Sequence, residues 1–224
     1  MTKGHIGTGA ARKPAGRERP VRGDRRQRRA AETRIRIFRA ALQLIATRGL
    51  AGVTVEDITE AADVGKGTFF NYFPTKDHVL GVMAEIQISK VREAAHLAHQ
   101  ESEAIHDVVH YMVQRLAEEP GRSPSLARAF VSSFLASEAV REIIRARMLE
   151  GRQAMAEVVR IGQQRGEIRR MLDPEKVTVQ LVQSCLGAIV FWSLHELPSL
   201  AAHLEDTFQH FWRSVAVSVP EQAS

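Results

Sequence analysis

The sequence predicts an all-α protein of about nine helices, and three observations carry that reading. Apolar residues recur at three- and four-residue spacing from Ala30 almost to the C-terminus, the period of helices with one buried face. Proline, glycine and capping residues interrupt the pattern at helix-length intervals. No segment sustains the alternation of a half-buried strand, and no repeat of solenoid length appears.

Residues 1–29 precede the first periodic segment. They hold ten Lys and Arg against two acids and almost no large apolar side chains, so they are expected to form a disordered basic arm. Such an arm either solubilises the chain or tracks phosphates and enters a minor groove. Arg25, Arg26, Arg28 and Arg29 abut the first helix and are its candidate nucleic-acid contacts. The first helix starts at Ala30, with Ile35, Phe38, Leu42 and Ile45 as one stripe, and closes at Arg48-Gly49. The second opens at Thr54, where TVED sets a hydroxyl three residues before Asp57, and turns Ile58, Ala61 and Ala62 inward. The third runs from Lys66 towards Pro74, which stops it. A fourth over 76–99 offers Val79, Val82, Met83, Ile86 and Val91 to the interior. Further helices are expected over 103–118, 124–136, 138–164, 174–195 and 199–217, with Pro198 breaking the chain before the last. The resulting division is an arm (1–29), a compact N-terminal unit (30–76), a helical body (77–219) and a tail (220–224).

Two short helices joined by Ala62-Asp63-Val64-Gly65 have the layout of a helix-turn-helix. Asp63 suits a left-handed turn position, and Val64 would plug the angle between the helices. The third helix divides by face. Phe69 and Phe73, four apart, anchor it inward, whereas Gly65, Lys66, Gly67, Thr68, Asn71 and Tyr72 lie away from that side with Phe70 at the border. Lys66 and Lys76 each begin a helix, where the dipole disfavours a cation by about 0.3–1 kcal/mol. Two such placements point to a bound anion such as a phosphate. Gly67 removes a side chain from the leading edge, so backbone could approach a groove. Lys66 is the candidate for a guanine edge, and Asn71 either reads adenine or is simply solvated.

The run VTVEDITEAADVGKGTFFNYFPTKDHVL, with LIATRGLAGVTV before it, resembles the DNA-binding signature of the TetR family of transcriptional regulators. Further on, GQQRGEIRR followed by DPEKV, and an apolar helix containing FW, are similar to the family's looser C-terminal pattern. The resemblance implies a homodimer on a near-palindromic double-stranded operator, usually a repressor released by a small ligand. By position it implies that Thr54 meets a phosphate, that Lys66, Gly67 and Thr68 face the major groove, and that Tyr72 and Lys76 contact the backbone on either side. Three positions depart from it. Gly65 stands where Ser or Thr is common, Phe70 where Tyr is common, and Glu56 where some members place a base-reading cation.

The last two helices carry apolar stripes that a lone domain rarely exposes. The resemblance implies a four-helix dimer bundle drawing on Val182, Leu186, Ile189 and Trp192 from one and Leu204, Phe208, Phe211 and Trp212 from the other. Part of these must also serve the chain's own core. Tyr111, Met112, Phe130, Phe134, Met148 and Met155 suit an adaptable apolar cavity for a small apolar or amphipathic effector, and suit ordinary core equally.

Several functions find no support. No Walker loop, nucleophile elbow, Rossmann glycine pattern or HExxH is present, so neither an enzyme nor a cofactor is expected. His96, His99, His106 and His110 have ligand-like spacing, but no Cys or acid pattern completes a metal site. The longest unbroken apolar run, CLGAIVFW at 185–192, is well short of the roughly 20 residues of a bilayer span. No membrane partner is expected, and the single Cys185 suits a reducing cytoplasm. The alternatives to a ligand-released regulator are an architectural DNA-binding protein using the basic arm, and a regulator controlled by a partner protein.

Overall fold

The computed structural model describes residues 22–195 and 199–217, with side chains from residue 26 onward. Pro198, residues 1–21 of the arm and the 220–224 tail lie outside them. Nine α-helices and one 3₁₀ turn occur among the described residues: α1 Arg22–Arg48, α2 Val55–Ala61, α3 Lys66–Phe70, α4 His78–His99, α5 Ile105–Leu116, α6 Pro124–Ala136, α7 Glu138–Gln164, α8 Pro174–His195 and α9 Leu200–Val215, with Pro120–Arg122 as the 3₁₀ turn. Their extended pairing is confined to one antiparallel bridge, Ile168 with Ala216.

Helix α1 begins at Arg22 rather than Ala30, so residues 22–29 are helical, not a disordered arm. Arg, Gln and Ala are strong helix formers, and a helix seeded by a buried stripe propagates readily into such residues. That stripe is Ile37, Phe38, Ala41 and Ile45, with Ile35 and Leu42 only half-buried. Gly49, at φ +70, closes α1. In α2, Thr59 is buried and Ala61 exposed, the reverse of the sequence expectation for Ala61. Helix α3 ends at Phe70, three residues before the one preceding Pro74, and α4 starts at His78 rather than Lys76.

Two hydrophobic clusters organise the chain. One joins α1, α2, α3 and the start of α4 around Ile37, Ile58, Phe69, Phe73 and Val79, and takes in Ala129, Val140 and Ile144 from α6 and α7. The other fills the body around Val108, Val158, Leu181, Leu204 and Phe208. Helix α4 contributes to both, so the N-terminal unit does not end sharply at residue 76. Arg34 of α1 and Arg147 of α7 both reach the Glu85 carboxylate of α4, reinforcing that junction. Gly166, at φ +77, terminates α7, where the Glu167 N–H donates to the Gly162 carbonyl at 2.9 Å.

Helix α8 reaches a mean hydropathy of 1.6 over 18 residues, and by length and composition alone it could cross a membrane. It exceeds the expectation drawn from the 185–192 run because scattered polar residues interrupt a longer apolar helix. One side, Val177, Leu181, Cys185, Ala188 and Trp192, is buried in the body core, and 39% of the apolar stretch is buried in all.

Candidate nucleic-acid interface and effector cavity

The N-terminal unit holds α2 and α3 through local chemistry. The Thr54 hydroxyl accepts from the Asp57 N–H at 3.1 Å, and the Asp57 carboxylate accepts from the Thr54 N–H at 2.8 Å. This reciprocal cap holds the Asp57 carboxyl below its usual range, the Thr54 hydroxyl being the largest cause. Asp63 takes φ 49 in the turn, and the Val64 N–H donates to the Thr59 carbonyl at 3.0 Å. Gly65 caps α3 with extended backbone and no side-chain bond among the described residues.

The two-faced reading of α3 holds. Phe69 and Phe73 are buried with ring centroids 5.6 Å apart. Gly65, Lys66, Gly67 and Asn71 are exposed, and Thr68 and Tyr72 are half-buried. Phe70 is 53% exposed, with its ring edge-on to Phe69. Among the described residues, a Cβ at Gly67 would meet nothing within 4 Å, so the surface there is open to them.

Two cations are engaged in ways the sequence did not reveal. The Lys66 ammonium pairs with the exposed Glu56 carboxylate across the α2–α3 angle, and that bond is the largest cause holding the Glu56 carboxyl below its usual range. The Lys76 ammonium donates to the Leu50 and Val53 carbonyls at 2.9 and 2.7 Å. It thereby ties the α1–α2 loop to the approach to α4. Arg26, Arg28 and Arg29 are exposed on the first turns of α1, and the Arg25 side chain lies outside the described residues.

Where the two core clusters meet, α4, α5, α6, α7, α8 and α9 line an open-sided cavity of about 230 Å³. Met112, Phe130, Met148 and Met155 line it as expected. Phe134 instead lines an adjoining groove with Arg141, Arg145 and Arg152. Tyr111 is not brought there: it is 40% exposed, and its hydroxyl meets Glu93 and Arg115. The sequence reading missed the α4 wall of Met83, Gln87, Ile88 and Val91, and Cys185 opposite. A helix's own periodicity marks its inner side, but not which inner residues face a void. Burial pushes the Cys185 thiol up to about 12.

The expected dimer residues separate into two groups. Trp192, Leu204, Phe208 and Phe211 are buried within the chain's own core, because α8 and α9 pack against each other and α9 against α5. Little of them is left open to a second copy. Val182, Ile189 and Trp212 are half-buried, and Leu186 is exposed. Phe191 and Leu194, which the sequence reading passed over, extend that exposed α8 stripe. His106 and His110 stack on each other and lie tilted against Phe208, and the His110 ring nitrogen meets the Glu205 carboxylate at 2.5 Å.

Comparison with known proteins agrees with this layout. Residues 37–83 match the family model for bacterial regulatory proteins of the tetR family, and residues 127–208 match a tetracyclin repressor-like C-terminal domain. Together they span more than half of the chain. The transcriptional repressor KstR of Mycolicibacterium smegmatis is 28% identical over 108 residues, covering 48% of this chain and 53% of that protein. The chain thus spans about half the length of that relative. The repressor DhaR of a Mycobacterium species is 25% identical over 150 residues, covering 66% of this chain and 76% of that protein. Among solved structures, Thermus thermophilus FadR in complex with lauroyl-CoA superposes with a TM-score of 0.61 at 26% identity, covering 85% of this chain and 99% of that one. The chain belongs to the TetR family of bacterial regulatory proteins.

Proposed function

We propose that this chain is a homodimeric, sequence-specific transcriptional repressor of the cytoplasm, released from a near-palindromic operator by a small apolar or amphipathic effector. The observation that carries this reading is the double membership of α4. Val79 and Leu80 at its start are buried against the recognition unit, whereas Met83, Gln87, Ile88 and Val91 further on wall the cavity. A ligand that reseats α4 must therefore move the unit packed on its first turns. Each tenfold loss of operator affinity requires about 1.4 kcal/mol of differential effector binding.

At the DNA, Lys66, Gly67, Thr68 and Asn71 face the groove. Thr54, Gly65, Phe70 and Tyr72 flank the phosphates and sugars, and the α1 arginines add charge. Lys66 must exchange Glu56 for a base edge. Lys76 acts first as an anchor for the α1–α2 loop. The exposed α8 stripe of Leu186, Phe191 and Leu194 supplies the dimer contact, and a two-fold pair would place recognition helices about 34–36 Å apart, one turn of DNA. The lauroyl-CoA bound by the Thermus relative supports an acyl-chain-like effector, and the exposed Arg152, shared between the cavity and two outer grooves, suits an anionic end.

Selection of bound sequences from a random DNA pool tests the reading. A near-palindromic consensus is expected, with Lys66→Ala relaxing preference at one position in each half-site. Recovery of no consensus, with equal binding to all duplexes, would refute sequence-specific regulation.

A further inference from the structure

The cavity wall is aliphatic, aromatic or sulfur-bearing except at two residues, Arg152 and Gln87. Arg152 is exposed. Gln87 is not, and its amide is held in one orientation. Its Nε2 donates to the Glu119 carboxylate at 3.3 Å and lies 4.0 Å from the Met83 sulfur. The Glu119 carboxylate also receives the ammonium of Lys90, itself buried. A carboxylate only accepts, so the amide nitrogen must face it and the amide cannot turn over. The Gln87 Oε1 is consequently turned away from Glu119, almost wholly closed to solvent and without a donor among the described residues. Buried carbonyl oxygens are almost always satisfied, and leaving one unmet is costly.

We propose that the apolar part of the effector carries one hydroxyl or N–H group, and that this group donates to Gln87 Oε1. The proposal rests on the effector reading above and adds to it the polar group selected. A dry cavity of about 150 Å³ accepts benzene; scaling to the volume here, about 230 Å³, gives an enclosed part of about nine non-hydrogen atoms. Because Gln87 lies on α4, the same bond would act on the helix that seats the recognition unit.

Titration calorimetry of the full chain with octan-1-ol and 1-fluorooctane tests this. The two probes share shape and size, but only the alcohol donates. Each affinity is divided by the probe's own water-to-hexane partition coefficient. The alcohol is then expected to lead by at least about fivefold, the net weight of one hydrogen bond, and Gln87→Met should remove that lead while leaving 1-fluorooctane bound. Equal normalised affinities in the unaltered chain would overturn the proposal and assign the oxygen to water. Binding of neither probe would overturn the effector reading of the cavity as well. The comparison in the unaltered chain does not depend on the variant folding.

Discussion

Lys76→Met isolates the anchor beneath the recognition unit. The ammonium donates to two main-chain carbonyls, Leu50 at 2.9 Å and Val53 at 2.7 Å. A hydrogen bond from a charged donor is worth about 1.5–3 kcal/mol when its partner stays buried. Leu50 is half-buried, so its carbonyl can rehydrate, whereas Val53 is fully buried. One bond therefore counts nearly in full and the other little, giving a loss of about 2 kcal/mol. For a chain of this size each kcal/mol lowers the melting temperature by about 2–4 °C, so a fall of about 4–8 °C is expected, with an unchanged denaturant slope. Fluorescence anisotropy on operator and random duplexes across a salt series provides the second readout. An anchoring lysine weakens both duplexes by one factor and leaves the salt slope intact. Loss of a phosphate-gripping lysine lowers the slope by about 0.9 per subunit, or about 1.8 for the dimer on its operator. Unchanged stability together with that reduced slope would refute the anchoring argument and restore Lys76 to the DNA surface.

Further outcomes follow from packing and burial. A Cβ at Gly162 would lie 2.7 Å from Ile168 Cδ1 and 3.2 Å from Ile105 Cγ2, both in fully buried side chains. Gly162→Ala should therefore destabilise by about 1 kcal/mol net, since overpacking of about 1–3 kcal/mol outweighs a helix-propensity gain of about 1; unchanged urea unfolding would contradict it. With its thiol pushed up to about 12 by burial, Cys185 should react with an aromatic disulfide at pH 8 more than about 100-fold slower than a free thiol of pKa ~8.5, and at the free-thiol rate once unfolded. Rapid labelling of the folded chain would show that the cavity wall opens. Phe191→Glu with Leu194→Glu should convert a dimer to a folded monomer in sedimentation, because these side chains are 50% and 61% exposed and support no core of their own. A dimer that survives both changes would move the interface off this stripe.

Much of the proposed DNA-binding unit is legible in the sequence because its determinants are local. The Thr54–Asp57 cap spans three residues, the left-handed Asp63 needs only its own backbone, and Phe69 and Phe73 share a face by helical spacing alone. The same reasoning failed where a second element decides. Ala61 and Thr59 differ in burial according to what covers α2. Tyr111 points to Glu93 and Arg115 rather than the cavity. The start of α1 belongs here too, since composition favours a coil where a packed helix propagates backward to Arg22.

What the sequence determined by itself was the order of helices, their caps and the two-faced recognition helix, each written in residues within one or two turns. What only the tertiary structure decided were the partners. Lys76 reaches carbonyls 23 and 26 residues away, Lys66 pairs across a turn with Glu56, and Gln87 is oriented by Glu119, 32 residues distant. The division of α8 and α9 into a buried side and an exposed stripe belongs with these. Periodicity states that a helix has an inner face; only the packing of other helices against it states whether that face meets core, cavity or another molecule.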